Sequence, residues 1–419
     1  MNAHQKTLAF TALAVAVGLT LVGCSDPGGT DADSPTESAY DFGTPNPATG
    51  DPIVFGVLNL ETGPVTFPET VQAEQAAVDY VNEYLGGIGG RPIELVTCAT
   101  DGQPATSAKC ANQLLDKNPV AIIGATDTGS PGAIEVWRRA GLAYIGGVPF
   151  TPVEQNYENA VIFSSASVGD PTAGSVYAAQ ELGAKSAAVI YTSDTQGTAS
   201  AQGYIIPTMK AAGVETITEV TIPPTSSDVA SAVATAVAAN PDVIYLVTPA
   251  ACPNVLNSLL QLGNQAAVFG IDPCTSPAAI EGSGGGAEGL YFASPTISPF
   301  SPDPDAQLYL AALGKYAPAD IPLDSLTAVG FQTIINLQAT LADFDAADLT
   351  TDKILAAFRE GTDVPNFMGH PYTCDGKQLN GASAVCDSNQ RINQITDGHP
   401  VEILDEWISA GDYYQPAPH

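Results

Sequence analysis

The feature that most constrains this fold is the regular alternation of short apolar runs with longer helical patterns, which begins at Pro52. The apolar runs have the length and β-branched composition of buried strands, and in the first part of the chain they cover residues 53–60, 93–98, 120–124 and 143–146. The helical patterns between them cover residues 70–85, 104–115 and 132–140. This alternation predicts a mostly parallel sheet with helices on both faces.

The alternation restarts after a predicted loop at residues 164–171, which indicates a second lobe of the same kind. Beyond a Pro- and Ser-rich stretch at 294–304, three helical patterns follow without strands, and we expect them to pack on the first lobe. The prediction is two Rossmann-like α/β lobes joined by a multi-strand hinge, which suits closure around a ligand. The expected boundaries are residues 52–165 plus 296–370 for lobe 1 and residues 166–295 plus 371–419 for lobe 2.

The N-terminal residues indicate export. Lys6 precedes an apolar run at 8–22, which is shorter than the roughly 20 residues of a membrane span, and small residues lead to Cys24. Residues 1–23 resemble a bacterial lipoprotein signal peptide, which implies that Cys24 is acylated and anchors the protein on the outer face of the cell membrane. An ordinary signal peptide with an incidental cysteine is the alternative. Residues 24–51 are rich in Asp, Gly, Pro, Ser and Thr, which predicts a disordered tether.

The charge balance excludes one class of partner. The chain has 45 acidic and 13 basic residues, a net charge of -32, and no basic stripe. Such a chain repels phosphate backbones, so we expect no nucleic-acid partner. Most of the acidic residues are scattered along the chain, which is typical of a contribution to solubility.

Six cysteines remain besides Cys24, an even number in a chain predicted to be exported, and this predicts three disulfides. Fifteen connectivities are possible for six cysteines. Pairing within the sequence-local pairs needs the least rearrangement and is therefore preferred. A zinc site is the alternative, but no C-x-x-C pair supports it, and we expect neither a metal nor a cofactor. The preferred pairs are Cys98 with Cys110, Cys252 with Cys274, and Cys374 with Cys386.

A family resemblance rests on the stretch NEYLGGIGGRPIE at 82–94, on Cys98 and Cys110, and on the loop IGATDTGS at 123–130. These residues resemble the type I periplasmic binding proteins of the branched-chain amino acid family. The resemblance extends from about residue 53 to residue 407 and is strongest in the first lobe. It implies the type I periplasmic binding protein fold and a solute receptor that delivers its ligand to the permease of an ABC transporter. We expect the protein to be a monomer.

Ligand-binding residues are expected in the loops that follow the strands of both lobes. In open α/β sheets ligands bind beyond the carboxyl ends of the strands, where backbone N–H groups and helix starts converge. The predicted ligand-binding residues are Thr62, Phe67, Ala125, Thr126, Thr128, Val148, Pro149, Thr151, Gln196, Thr248 and Asp272.

The resemblance assigns roles to four of these residues. Thr128 and Thr151 would hold a ligand carboxylate, although threonine in such loops is also a common helix cap. Phe67 would contact the ligand side chain, or it only packs against the start of a helix as a hydrophobic staple. Asp272 would pair with the ligand ammonium, or it only shapes a turn.

The expected solute is a small polar molecule. Branched-chain amino acids are the default, followed by small carboxylates and amides. Where the family places tyrosines from the second lobe over the ligand, this chain has Gln196 and Thr248, which weakens the case for an amino acid.

The sequence argues against an enzyme. It contains no G-x-S-x-G motif, and His370, His399 and His419 lie near its end, outside the predicted ligand loops. Acidic residues such as Asp127 and Asp194 could face the cleft together with Asp272, but acids there are expected in so acidic a chain. We expect no catalytic residue. Two alternatives remain open, namely a lipoprotein that presents its closed form to a membrane sensor, and a secreted hydrolase.

Overall fold

The computed structural model describes residues 40–63 and 65–415. The predicted signal peptide, Cys24 and the first part of the predicted tether lie outside the described residues. Within the described ranges, no helix has both the length and the hydropathy needed to cross a bilayer.

The first sheet is parallel throughout and is built around a central strand whose residues are almost all buried. That strand, IVFGVLNL, is nearly continuous in apolar residues, as expected for a strand covered by helices on both faces. The strand order is β2-β1-β3-β4-β5. The strands are β1 (Ile53–Leu60), β2 (Ile93–Thr100), β3 (Ala121–Gly124), β4 (Tyr144–Ile145) and β5 (Ala160–Val161).

The first four helices that cover this sheet each have proline in their first turn, where the missing N–H has no intrahelical partner to lose. They are α1 (Pro68–Tyr80), α2 (Pro104–Leu115), α3 (Ser130–Ala140) and α4 (Pro152–Gln155). The first of them continues through a π-helical turn, Val81–Leu85, and ends at Gly86, whose φ of 76° is readily adopted by glycine.

The second sheet has five parallel strands followed by two antiparallel ones, in the order β7-β6-β8-β9-β10-β11-β12. Its strands are β6 (Ser186–Thr192), β7 (Thr216–Ile222), β8 (Val243–Val247), β9 (Ala267–Gly270), β10 (Tyr291–Ser294), β11 (Asn389–Thr396) and β12 (His399–Glu402), and a short β13 (Ile408–Ser409) pairs with β11. Its helices are α5 (Ala166–Gln180), α6 (Thr195–Thr198), α7 (Ile206–Ala211), α8 (Ala230–Ala238), α9 (Cys252–Gln261) and α10 (Pro277–Gly282).

Three later helices return to the first lobe, α11 (Pro304–Tyr316), α12 (Ser325–Leu341) and α13 (Thr351–Arg359). Their fully buried rings, Tyr309, Phe331 and Phe358, share one core with Phe55 of β1. This packing explains why no strands separate them, since they cover a sheet that is already complete. The two-lobe α/β prediction is confirmed.

The sequence analysis assigned the whole chain from residue 371 to Cys386 to lobe 2, but only part of it, including Leu379 and Val385, packs on Val168 of α5 in lobe 2. The rest lies with lobe 1. Tyr372 packs on Phe163 with ring centroids 4.9 Å apart, and Cys374 and Cys386 belong to the same core as the first sheet. These long-range contacts fix the segment, and only β11 and the residues after it complete the second sheet.

The chain crosses between the lobes three times, near residues 162–166, 294–297 and 386–389. The third crossing lies between the other two. The Cys386 N–H donates to the Ile162 carbonyl at 2.8 Å, and β11 pairs antiparallel with β10, the strand that leads into the second crossing. The Gln390 side chain also donates to the Ser165 hydroxyl at 3.1 Å. Three crossings bonded side by side form the hinge.

The described end of the predicted tether, residues 40–51, lies against lobe 1. The Ala48 N–H donates to the Asn82 carbonyl at 2.7 Å. The Phe42 ring lies 5.2 Å from that of Tyr84, and the Lys315 ammonium lies 4.6 Å from the Tyr84 ring centroid. The composition of residues 24–51 predicts disorder up to the first strand. The described part of this segment is instead held on lobe 1, because Phe42 packs against aromatic rings and a lysine ammonium.

The structure pairs the six cysteines that follow Cys24 as the three sequence-local disulfides, Cys98–Cys110, Cys252–Cys274 and Cys374–Cys386. The first connects β2 to α2, and the second connects the start of α9 to the turn after β9. The second therefore joins two loops at the carboxyl ends of neighbouring strands.

Replacing either of two helical glycines by alanine should change the unfolding free energy, and the two changes should have opposite signs. A Cβ on Gly132 would lie 1.9 Å from the Pro104 carbonyl oxygen, whereas a Cβ on Gly314 would meet nothing within 4 Å. We expect Gly132→Ala to lose about 2 kcal/mol of unfolding free energy, because two helix backbones must separate. We expect Gly314→Ala to gain about 0.5–1 kcal/mol from helix propensity. Urea unfolding measures both, and shifts of the same sign would contradict this packing.

Candidate functional site

A cavity of about 380 Å³ lies where strand ends of the two lobes face one another. Leu60 ends β1, Thr128 follows β3, Thr192 ends β6 and Val247 ends β8, and all four line the cavity. In each sheet these strands flank the position at which the strand order reverses, where open α/β sheets bind their ligands. The volume is within the usual range for a small-molecule site.

One wall of the cavity is apolar and comes from lobe 1. The Phe67 and Phe150 rings lie stacked with their centroids 6.5 Å apart, and Val148 and Leu326 pack with them. The backbone of Phe67 is fixed at both ends, since its N–H donates to the Leu60 carbonyl at 2.9 Å and its carbonyl accepts from an Asn59 side chain. This wall is suited to an apolar part of a ligand.

The polar part of the cavity is acidic. Four carboxyl groups line it, and no lysine or arginine is among the lining residues. Asp101 accepts the Gln103 N–H at 3.0 Å, and Asp194 caps α6 by accepting the Gly197 N–H at 2.8 Å. The other two acids, Asp170 and Asp272, each keep one carboxyl oxygen that accepts no hydrogen bond within the described structure.

Asp170 and Asp272 each have a buried Oδ1 with no hydrogen-bond partner in the described part of the chain. Burial raises the pKa of Asp170 well above its ordinary value, and the nearby charge of Asp272 raises it further. Burial also raises the pKa of Asp272 to about 7, with added repulsion from Asp324. A positive charge placed beside these two buried carboxyls would stabilise their ionised forms, and no such charge comes from the lining residues.

Asp272 is held at the contact between the lobes. It opens the 3-10 turn Asp272–Thr275 after β9, and the disulfide at Cys274 ties this turn to α9. Hydrogen bonds from Ser325, at the start of α12 in lobe 1, reach its carboxyl group and lower its pKa in part. The carboxyl is therefore positioned by both lobes.

Five of the predicted ligand-binding residues line this cavity, from both lobes. They are Phe67, Thr128, Val148, Gln196 and Asp272. The Thr128 hydroxyl donates to the Gly102 carbonyl at 3.3 Å. Residues that were selected because they follow strands in the two lobes therefore lie together around one cavity.

The other predicted residues are not among the lining residues and are engaged in hydrogen bonds within the protein. Thr151 caps α4, where its N–H donates to the Glu154 carboxyl at 2.9 Å and its hydroxyl accepts from the Glu154 N–H. Thr126 is buried, with its hydroxyl 3.1 Å from that of Thr70. The geometry of Thr151 is that of the helix cap which the sequence analysis left open.

The remaining four have similar internal partners. The buried Thr248 hydroxyl lies 3.5 Å from the Cys252 sulfur. The exposed Thr62 donates to a strand carbonyl at 2.8 Å. The Ala125 carbonyl accepts from Val148 and that of Pro149 from Gln155.

Most of the lining residues were not among those predicted from sequence, and the three that matter most for the site are Asp170, Phe150 and Leu326. Asp170 has a local signal, because it is the only charged residue between Glu158 and Glu181. Leu326 comes from a helix far along the chain, and no local pattern connects it with the cleft.

The third acid considered from sequence, Asp127, does not line the cavity. Its carboxyl accepts hydrogen bonds of 2.7 Å from both Thr100 and Ser107, and it is buried behind the loop. Across residues 40–63 and 65–415, no group of three or more His, Cys, Asp or Glu side chains is arranged to hold a metal ion.

Solved structures share this architecture. A leucine-binding protein from Thermotoga maritima MSB8 superposes with a TM-score of 0.69 at 18% identity, covering 86% of this chain and 99% of that one. A branched-chain amino acid transporter substrate-binding protein from Streptococcus pneumoniae str. Canada MDR_19A, in complex with isoleucine, gives 0.68 at 16% identity, with 85% and 99% covered. An ABC transporter solute-binding protein from Rhodopseudomonas palustris BisB5, in complex with 3,4-dihydroxybenzoic acid, gives 0.70 at 18%, with 87% and 99% covered.

These identities are low, so the superpositions establish the fold. No curated protein matches the chain in sequence. The family model for periplasmic binding proteins matches residues 52–391, which is most of the described chain. The predicted resemblance is confirmed, and the chain belongs to the periplasmic binding protein family.

Proposed function

We propose that this protein is an extracytoplasmic receptor that closes its two lobes around a small solute carrying an ammonium group and an apolar side chain. It would deliver that solute to the permease of an ABC importer and would be anchored to the outer face of the cell membrane through a lipid on Cys24. The observation that carries the proposal is the pair of buried carboxyls, Asp170 and Asp272, beside the wall of Phe67 and Phe150.

An ammonium group would satisfy both carboxyls at once. Each has an oxygen without a hydrogen-bond partner, and an ammonium offers three donors together with the charge that the pair lacks. The apolar side chain of the solute would lie on the aromatic wall, where burial of each CH₂ contributes about 0.8 kcal/mol. Branched-chain amino acids meet both requirements, which agrees with the leucine and isoleucine named for two of the similar structures.

The lining argues against a purely anionic solute. The similar protein from Rhodopseudomonas palustris binds an aromatic acid, but the present cavity has four carboxyl groups and no lysine or arginine to neutralise a carboxylate. Among the solutes considered from sequence, small carboxylates without an amino group therefore become the least favoured. The sequence motif at Cys24 supports the lipid anchor, and the family supports the importer.

The test is calorimetry with a matched pair of solutes, accompanied by native mass spectrometry of gently purified protein. Leucine and 4-methyl-2-oxopentanoate differ only in the amino group, which is a keto oxygen in the second compound. We expect leucine to bind in the micromolar range, about -8 kcal/mol, and the keto acid to bind at least 100-fold more weakly. X-ray scattering should show compaction with leucine alone. Equal binding of the two compounds, or binding without compaction, would contradict the proposal.

A further inference from the structure

A second cavity, of about 400 Å³, lies on the other side of the start of α12. Its walls come from α10 and β10 in lobe 2, from the crossing segment up to Phe300, and from the residues that precede α12 in lobe 1. Among the described residues, Ser325 alone lines both this cavity and the cleft. The cavity is therefore a separate site that adjoins the cleft across one turn of helix.

The lining has the composition of a small-molecule site, with apolar walls and a few polar groups. Ile280, Phe292, Ile321 and Leu323 supply apolar surface from both lobes. At the mouth, the Phe300 ring lies edge-on to His399 with centroids 5.7 Å apart, and Phe300 is 49% exposed. A flat ring would find contacts on several sides.

One polar group in this cavity lacks a partner. Asn393 lines the cavity and is only 2% exposed, yet its side-chain oxygen has no hydrogen-bond partner in the described structure. A buried acceptor of this kind is costly unless something donates to it. The carboxyls of Glu281 and Asp324 also line the cavity, without any lysine or arginine. The complementary ligand is a hydrogen-bond donor with no negative charge.

We propose that this cavity is a second ligand site, for a compact aromatic molecule that donates an N–H to Asn393, and that its occupancy is coupled to closure of the cleft. The walls belong to both lobes, so their separation changes when the lobes move. A ligand that fits one separation better shifts the population of that state. The contact route is short, because Asp324 caps α12 and the next residue, Ser325, donates to Asp272 of the cleft.

The binding test uses indole and 1-methylindole, which share a ring system but differ in the N–H donor. We expect ligand-detected NMR to show indole binding to the unliganded full chain and at least fivefold weaker binding of 1-methylindole. Asn393→Ala should produce the same fivefold loss for indole. Ile321→Trp, which fills the cavity from a partly exposed position, should abolish indole binding. Asp116→Asn, at an exposed position at the end of α2, should leave indole binding unchanged.

Each of the opposite results overturns the site. Equal binding of the two indoles removes the donor from recognition, full indole binding by Asn393→Ala places indole elsewhere, and no binding of indole at millimolar concentration removes the site altogether. If the Ile321→Trp protein is folded by circular dichroism and still binds indole, the indole does not bind in this cavity and the proposed site is removed.

Coupling is measured as the change in leucine affinity at saturating indole. We expect at least a threefold change in either direction, and by linkage the same factor for indole at saturating leucine. Two independent affinities would overturn the coupling. The inference rests on the two-lobe fold and not on the identity of the cleft solute. Failure of leucine to bind would count against the proposed function alone. Indole binding to the unliganded protein would still test the second site.

Discussion

The double substitution Asp170→Asn with Asp272→Asn is expected to weaken leucine binding by at least about 100-fold, because it removes both charges that face the ammonium. Asparagine keeps the shape of the side chain and part of its hydrogen bonding, so the loss reports on charge. Each single variant should lose less than the pair, since the remaining carboxyl still compensates the cation. Calorimetry at pH 8, where the carboxyl groups give up protons most readily, measures the effect.

A matched control is Asp116→Asn, which makes the same change at an exposed position at the end of α2. It should leave leucine affinity unchanged. Because the pKa of Asp272 is raised to about 7 in the unliganded site, binding of a cation should release protons near that pH, and affinity should fall as the pH is lowered from 8 to 5. A double variant with wild-type affinity, or affinity that rises toward acid pH, would remove the pair from the site.

The second large effect is on stability, which should fall as the pH rises. Burial raises the pKa of Glu154 from 4.5 to about 7 and that of Asp387 from 3.8 to about 7. The folded protein keeps these protons where the unfolded chain has lost them, so between about pH 4 and 7 each group reduces stability by about 1.4 kcal/mol per pH unit. Together these two groups should lower the unfolding free energy of the unliganded protein by on the order of 4 kcal/mol from pH 5.5 to 7.5, and other buried carboxyls with raised pKa values, such as that of Glu74, should add to the fall.

Glu74 isolates this effect at one residue. It lies in α1 at 0% exposure, neither carboxyl oxygen has a partner in the described structure, and burial raises its pKa well above the ordinary value. Glu74→Gln removes the titrating group at nearly constant shape. The slope of unfolding free energy against pH should become shallower by about 1.4 kcal/mol per pH unit.

The control for this experiment is Glu94→Gln, an exposed position at the start of β2. Denaturant unfolding at a series of pH values should give the Glu94→Gln protein the slope of the wild type. If Glu74→Gln also keeps that slope, the carboxyl is not held neutral in the folded protein.

Sequence predicted the central strands well because their signal is local. The run 53–60 was predicted with the bounds that β1 has, since a continuous apolar run between polar loops has one good interpretation. The same locality accounts for the strand-end residues such as Phe67, Thr128 and Asp272, because the carboxyl end of a parallel strand is fixed once the strand is known.

The missed carboxyl, Asp170, shows the limit of local signals. The sequence predicts a loop at residues 164–171, but α5 begins at Ala166 and includes Pro171. Burial of this helix against the second sheet overrides the local preference of proline, as tertiary packing often does. Asp170 thereby moves from a loop into the wall of the cleft.

Long-range packing accounts for the remaining differences. The position of Tyr372 depends on Phe163, and that of Phe42 depends on Lys315, a residue far along the chain. Neither contact leaves a trace in the neighbouring sequence. The boundaries of the lobes at residues 40–51 and 371–386 therefore had to come from the structure.

The three crossings determine what kind of motion the receptor can make. The 386–389 segment is hydrogen-bonded to residue 162 on one side and continues into β11, which pairs with β10. A sliding or screw displacement of one lobe relative to the other would therefore break hydrogen bonds between at least one pair of crossing segments. Rotation about an axis through all three preserves them. Solute capture then has one angular coordinate, and a single pair of spin labels, one on each side of the cleft mouth, is enough to follow it from start to finish.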